Sequence, residues 1–221
     1  MLLAAVTLGQ IALLRVLRRF GLTRAGTAVA AATSLTLLAA MVVGLHGRRP
    51  GPADAVTLAR GLLACDLAGL DADPVSRDLD GVAAGLSAVA LALDAVDGQV
   101  ARRTGTASEF GARFDGETDA LLILVLSRRA ARRHGRWVLL GGLARYGFAL
   151  AGVVFPWLRR PLPFRYWRKV ATATEGIALA AATAPFVPRR LAGGGLVVGL
   201  ALITESFGRD IVWLWRRRRQ T

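Results

Sequence analysis

Four aspartates carry the strongest chemical signal in this 221-residue chain. Asp94 and Asp97 are three apart, and Asp115 and Asp119 are four apart. If each segment is helical, each pair shares one helix face. The short stretch from Arg103 to Ser108 brings the end of the first helix and the start of the second to one membrane surface. Four carboxylates facing one another repel unless cations neutralise them. Hard oxygen donors from two helices suit Mg²⁺ or Mn²⁺, and four aspartates could hold two such ions. Gly98 lies four after Asp94 and Gly111 four before Asp115, so each removes a side chain on an acidic face where a ligand could approach. Arg102, one turn beyond Gly98, could hold a phosphate through its two-pronged guanidinium. Two metals, room for a ligand and a nearby arginine are the equipment of phosphoryl transfer.

Composition says where such a site must sit. Hydrophobic residues make up 54% of the chain and charged ones only 20%, so it is too apolar for a disordered chain and poor in charge for a soluble domain. Cys65 is the single cysteine, which excludes a disulfide scaffold. An integral membrane protein remains. The net charge of +14 would suggest nucleic acid in a soluble protein. Here the arginines cluster between apolar segments, at Arg15/Arg18/Arg19, Arg48/Arg49, Arg128 to Arg136, Arg159/Arg160 and Arg216 to Arg219. Membrane proteins flank their spans in this way, so membrane lipids are the expected partners and nucleic acid is not. The acids are distributed differently: twelve of the fifteen fall between Asp54 and Asp119.

A spanning helix needs about 20 mostly apolar residues. Ala25 to Leu45, Trp137 to Leu158, Val170 to Val187 and Leu191 to Trp215 meet that pattern, the last three with isolated charges inside. Ala53 to Leu70, Asp80 to Arg102 and Ser108 to Ser127 are expected to be helical but carry more charge. Residues 2–20 turn basic after their apolar run, the reverse of a signal peptide, and are expected to form a further membrane helix. The expected fold class is therefore all-α, a polytopic membrane bundle. Two extra helices in residues 1–50 precede a six-helix core in residues 51–221.

The run Asp94-x2-Asp97-Gly98-x2-Ala101-Arg102-x8-Gly111-x3-Asp115-x3-Asp119 resembles the complete signature of the CDP-alcohol phosphotransferase family. All eight fixed positions and every gap match. The resemblance covers residues 52–187 and extends to the last helix by architecture; the first fifty residues lie outside it. It implies that Asp94, Asp97, Asp115 and Asp119 bind two divalent cations, Mg²⁺ or Mn²⁺, that bridge to the pyrophosphate of a CDP-linked donor. It implies that Gly98, Ala101 and Gly111 clear space for the cytidine nucleotide, with Arg102 against it. Asp119 would also take the acceptor hydroxyl's proton. That hydroxyl attacks the β-phosphate and CMP leaves. A homodimer is the family's common state.

Further residues invite roles in acceptor or phosphate binding. Lys169 is the only lysine among 29 basic residues, which points to a need for a compact ammonium or to simple snorkelling at the interface. Lys169-x2-Thr172 resembles the family's fifth core helix, although Glu175 stands where glutamine is frequent. Pro52-Ala53-Asp54 with Thr57-x2-Arg60 resembles the helix entering the core. Arg60 is expected either to touch phosphate or to be a flanking interface charge. Arg145, mid-span, needs a partner, either an anionic acceptor or an acid such as Glu175 or Asp66. Glu205 and Arg209 are spaced to satisfy each other. Asp71, Asp73, Asp78 and Asp80 are expected to form an exposed loop.

The expected function is an integral-membrane transfer of a phosphatidyl-type group from a CDP-linked lipid donor, CDP-diacylglycerol first, to a small alcohol, releasing CMP in phospholipid biosynthesis. Charge does not decide orientation, because the two membrane faces come out nearly balanced. The resemblance implies a site facing the cytoplasm, and a prokaryotic plasma membrane is the expected location. The alternative from another class is a transporter using intramembrane carboxylates for ion coupling.

Overall fold

The helix-start signals in the chain act where they stand. Thr23 accepts the Gly26 N–H through its hydroxyl at 3.2 Å and opens a helix that runs to Leu45. His46 and Gly47 then take positive φ values of 46° and 80° and end it. Pro52 starts the next helix, and the Asp54 carboxylate accepts the Gly51 N–H at 2.8 Å. Asp54 is thus spent on a helix start, where it is buried beside Arg48.

The computed structural model describes residues 2–73, 79–104, 108–160, 162, 163 and 165–218, excluding the side chains of residues 2, 97–102 and 104. Among the described residues there are eight α-helices and no strands: α1 (Leu2–Arg19), α2 (Arg24–Leu45), α3 (Pro52–Ala72), α4 (Asp80–Thr104), α5 (Glu109–His134), α6 (Leu139–Val154), α7 (Tyr166–Thr183) and α8 (Arg189–Arg217). Short 3₁₀ turns at Arg136–Val138 and Pro156–Arg159 flank α6. The all-α bundle stands. Arg24–Leu45, Arg136–Val154 and Arg189–Arg217 are long and apolar enough to cross a bilayer, which marks a membrane protein. On α2, Leu35, Val42 and Val43 remain exposed, as lipid-facing side chains do.

Two expectations need correction. The fifth helix does not end at Ser127 but continues through the arginine run to His134, and Gly135 (φ 100°) closes it. Arginine is a good helix former, so a cluster of them does not interrupt α5. Asp71 and Asp73 are buried instead of lying in an exposed loop. Asp73 accepts the Thr23 N–H at 2.7 Å, tying the end of α3 to the start of α2. Asp80 belongs to the first turn of α4, and Asp78 lies outside the described residues.

The chain divides into two compact units, Met1–Val125 and Leu126–Thr221. In the first, α3 packs against α1, α2 and α4. Small residues bring α2 and α3 together: a Cβ on Gly26 would lie 2.9 Å from the Gly69 carbonyl oxygen. Gln10 of α1 donates to Asp66 of α3 at 2.8 Å and to Ser34 of α2 at 3.2 Å, linking three helices through buried polar groups. Met41, Leu45, Leu58, Leu62 and Phe114 form an apolar cluster from α2, α3 and α5. In the second unit α7 packs on α8 and α6 on α8. Glu175 of α7 is buried against Gly141 of α6 and Gly199 of α8, which have no side chains to displace it.

Candidate active site

The apolar cluster fixes the backbone on either side of the charged residues. Leu58 and Leu62 flank Arg60 on α3, and Phe114 precedes Asp115 on α5. Ser108 caps α5, accepting the Gly111 N–H at 3.0 Å and holding the start of that helix. Gly61 lets α3 approach α5, since a Cβ there would sit 3.3 Å from the Thr118 methyl.

On this frame Asp94 of α4 and Asp115 and Asp119 of α5 converge. One carboxylate oxygen from each lies within 4.8 Å of the others. Arg60, 0% exposed, ion-pairs with Asp94 and Asp115 and reaches Asp119 at 3.0 Å. Its Nη2 also faces the Asp115 carbonyl oxygen at 3.5 Å. The aspartate side chains are 32%, 38% and 31% exposed in that order, so the anchor is buried while its partners open outward. Three carboxylates against one guanidinium leave two negative charges among these four groups. Carboxylate oxygens converging from two helices are a donor set that fits Mg²⁺ or Mn²⁺.

A model of the CDP-alcohol phosphatidyltransferase family matches residues 51–205, well over half of the chain. The chain belongs to that family. No curated protein and no solved structure gave a match. Membership makes this a family of transferases that use a CDP-alcohol, and it sets aside the ion-coupled transporter. The match begins at residue 51, so α1 and α2 lie outside it although they pack on α3.

Asp97, Gly98, Ala101 and Arg102 lie outside the described side chains. Gly111 faces Asp54: a Cβ there would meet the Asp54 carboxylate at 3.2 Å and the Ser108 hydroxyl at 3.1 Å. Thr57 is buried and donates to the Ala53 carbonyl at 3.1 Å, one turn before Arg60. Arg60 itself is neither an interface charge nor open to bulk water. Its place at the centre of the acids was legible only as a rule, that an intramembrane charge needs a partner. Lys169 and Arg145 belong to the second unit, and both are exposed. Glu175 forms no hydrogen bond or ion pair among the described residues, so of the alternatives for Arg145 the one with Glu175 is not made. Glu205 does pair with Arg209, and it also accepts the Trp167 indole N–H at 2.6 Å.

Proposed function

We propose that the protein transfers a phosphatidyl group from a CDP-linked lipid, CDP-diacylglycerol first, to a small alcohol, forming a phospholipid and CMP. The convergence of Asp94, Asp115 and Asp119 in a chain of this family carries the proposal. Asp94, Asp115 and Asp119, with Asp97, hold the divalent cations, Mg²⁺ or Mn²⁺. When bound, they offset charge on the donor's diphosphate and on departing CMP.

The chain's own residues do the rest. Arg60 holds the three described carboxylates in one place before any ligand arrives, so little reorganisation is left for the reaction. Asp119 takes the proton of the acceptor hydroxyl, whose oxygen then bonds to the donor's β-phosphorus. The bond from that phosphorus to the CMP oxygen breaks and CMP departs. Gly98, Ala101 and Gly111 leave room for the nucleotide, and Arg102 binds its phosphate. Thr57, Arg145 and Lys169 serve acceptor or phosphate binding. A phosphorylated acceptor suits the surplus of arginine. We place the chain as a homodimer in a prokaryotic plasma membrane; the likeness to the family supports the dimer and a site facing the cytoplasm, where cytidine nucleotides are found. The donor's acyl chains can then stay in lipid while its head reaches the aspartates.

The test is CMP release from CDP-diacylglycerol across a panel of alcohols, with CDP-linked small alcohols as alternative donors. Turnover with one acceptor and the lipid donor supports the proposal. Turnover only with a soluble CDP-alcohol would overturn the lipid-donor assignment.

A further inference from the structure

The second unit concentrates charge of the opposite sign. Arg165, Gly208, Arg209, Val212, Trp213 and Arg216 line a cleft of about 460 Å³ between the start of α7 and the C-terminal half of α8. Three of these residues are arginines and none is acidic. The carboxylates nearby are already engaged. Asp210, 4% exposed, faces Arg165 at 3.8 Å and Arg168 at 3.5 Å, and Glu205 pairs with Arg209. Arg165, Arg168, Arg209, Arg216 and Arg217 against Asp210 and Glu205 leave three positive charges around the opening.

The space itself is built into the sequence. A Cβ on Gly208 would meet nothing within 4 Å, so glycine leaves this part of the cleft open. The start of α7 has no acidic residue in its first turn and no side-chain cap, so its amide pole adds to the positive field. The rim is amphipathic. Ile211, Val212 and Trp215 are exposed beside the arginines, and the Arg217 guanidinium lies 4.3 Å from the Trp213 ring centroid. Because α8 is long and apolar enough to span a bilayer, its arginine- and tryptophan-rich end is an interfacial anchor.

We propose that this cleft binds a phosphate group at the membrane interface, carried either by an acidic phospholipid headgroup or by a soluble phosphate ester. Guanidinium groups from two elements can engage several oxygens of a phosphate, each by a charge-assisted hydrogen bond. Buried Asp210 orients two of the arginines without entering the lining. The cleft uses none of the aspartates of the transferase site, so the inference stands independently of the transfer chemistry.

The test follows the thermal unfolding midpoint of the full chain in uncharged detergent at fixed ionic strength. Inorganic phosphate is titrated in one arm and a short-chain phosphatidic acid in the other. A saturable rise in midpoint is expected. Saturation at an at least tenfold lower concentration of the lipid identifies a headgroup site, and equal concentrations identify a soluble phosphate. R209Q/R216Q should weaken binding about tenfold or more, the scale of one lost charge-assisted hydrogen bond. G208L should weaken it as much while leaving every charge in place, which keeps the test decisive if the double variant does not fold. No rise in either arm would overturn the proposal. So would an unchanged titration in G208L, because anions would then be attracted only by the chain's overall charge.

Discussion

The acidic site of the first unit and the arginine cleft of the second are built on one plan with the signs reversed. In the first, a fully buried arginine sits among three aspartates that are each about a third exposed. In the second, a nearly buried aspartate holds two arginines while others line an open cleft. Buried Arg60 anchors the first cluster and buried Asp210 the second, and in each the majority charge faces outward in surplus. That surplus is negative where a divalent cation is proposed and positive where a phosphate is proposed. A charge buried alone in this environment is expensive, so each cluster carries its own counter-charge and leaves only the excess for a ligand.

The largest effect that separates the two regions is metal removal. Chelation should abolish CMP release and Mg²⁺ should restore it, while phosphate binding at the arginine cleft stays within twofold. Loss of both together would mean that the two sites are not independent.

Removing the anchor comes next. Arg60→Gln strands three carboxylates and should lower unfolding stability by about 3 kcal/mol, the low end for breaking a buried pair because the aspartates are partly exposed. Denaturant titration in detergent measures it, and saturating Mg²⁺ should recover part of the loss. No recovery would mean that Arg60 and the metal do not share the same acids.

Packing follows. Gly69→Val forces a side chain against the backbone of α2, where a Cβ already lies 2.5 Å from the Gly26 carbonyl oxygen. A loss of about 1–3 kcal/mol is expected. The smallest change belongs to Glu175→Gln, which keeps the volume that Gly141 and Gly199 accommodate and removes no hydrogen bond among the described residues. Its unfolding free energy should stay within about 1 kcal/mol of wild type. A larger loss would show that Glu175 has an ionic role as the aspartates do.

Much of this was legible in the chain because spacing and helical period work locally. The three- and four-residue gaps of the aspartates place them on helix faces wherever the helices lie. Apolar run length likewise locates α2, α6 and α8 to within a few residues. Contacts between helices were not legible. Nothing local distinguishes Arg60, which anchors the acids, from an arginine at a membrane edge. Asp71 and Asp73 sit in a polar, breaker-rich stretch that resembles a surface loop, yet Asp73 is buried on the start of α2. The arginine run after Ser127 carries the charge of a membrane flank, yet the helix propensity of arginine lets α5 continue through it. The cleft at Arg165 and Arg209 joins residues more than forty positions apart, which no periodicity connects.

If the converging aspartates are the transferase centre, Asp119 is the residue whose change shows it. CMP release from CDP-diacylglycerol with Mg²⁺ should be compared between the wild-type chain and Asp119→Asn, with thermal unfolding and cytidine nucleotide binding as controls. The variant should fold, bind nucleotide and lose about 10³-fold or more in rate, the scale of a missing general base. A folded Asp119→Asn protein that releases CMP at the wild-type rate would contradict that assignment.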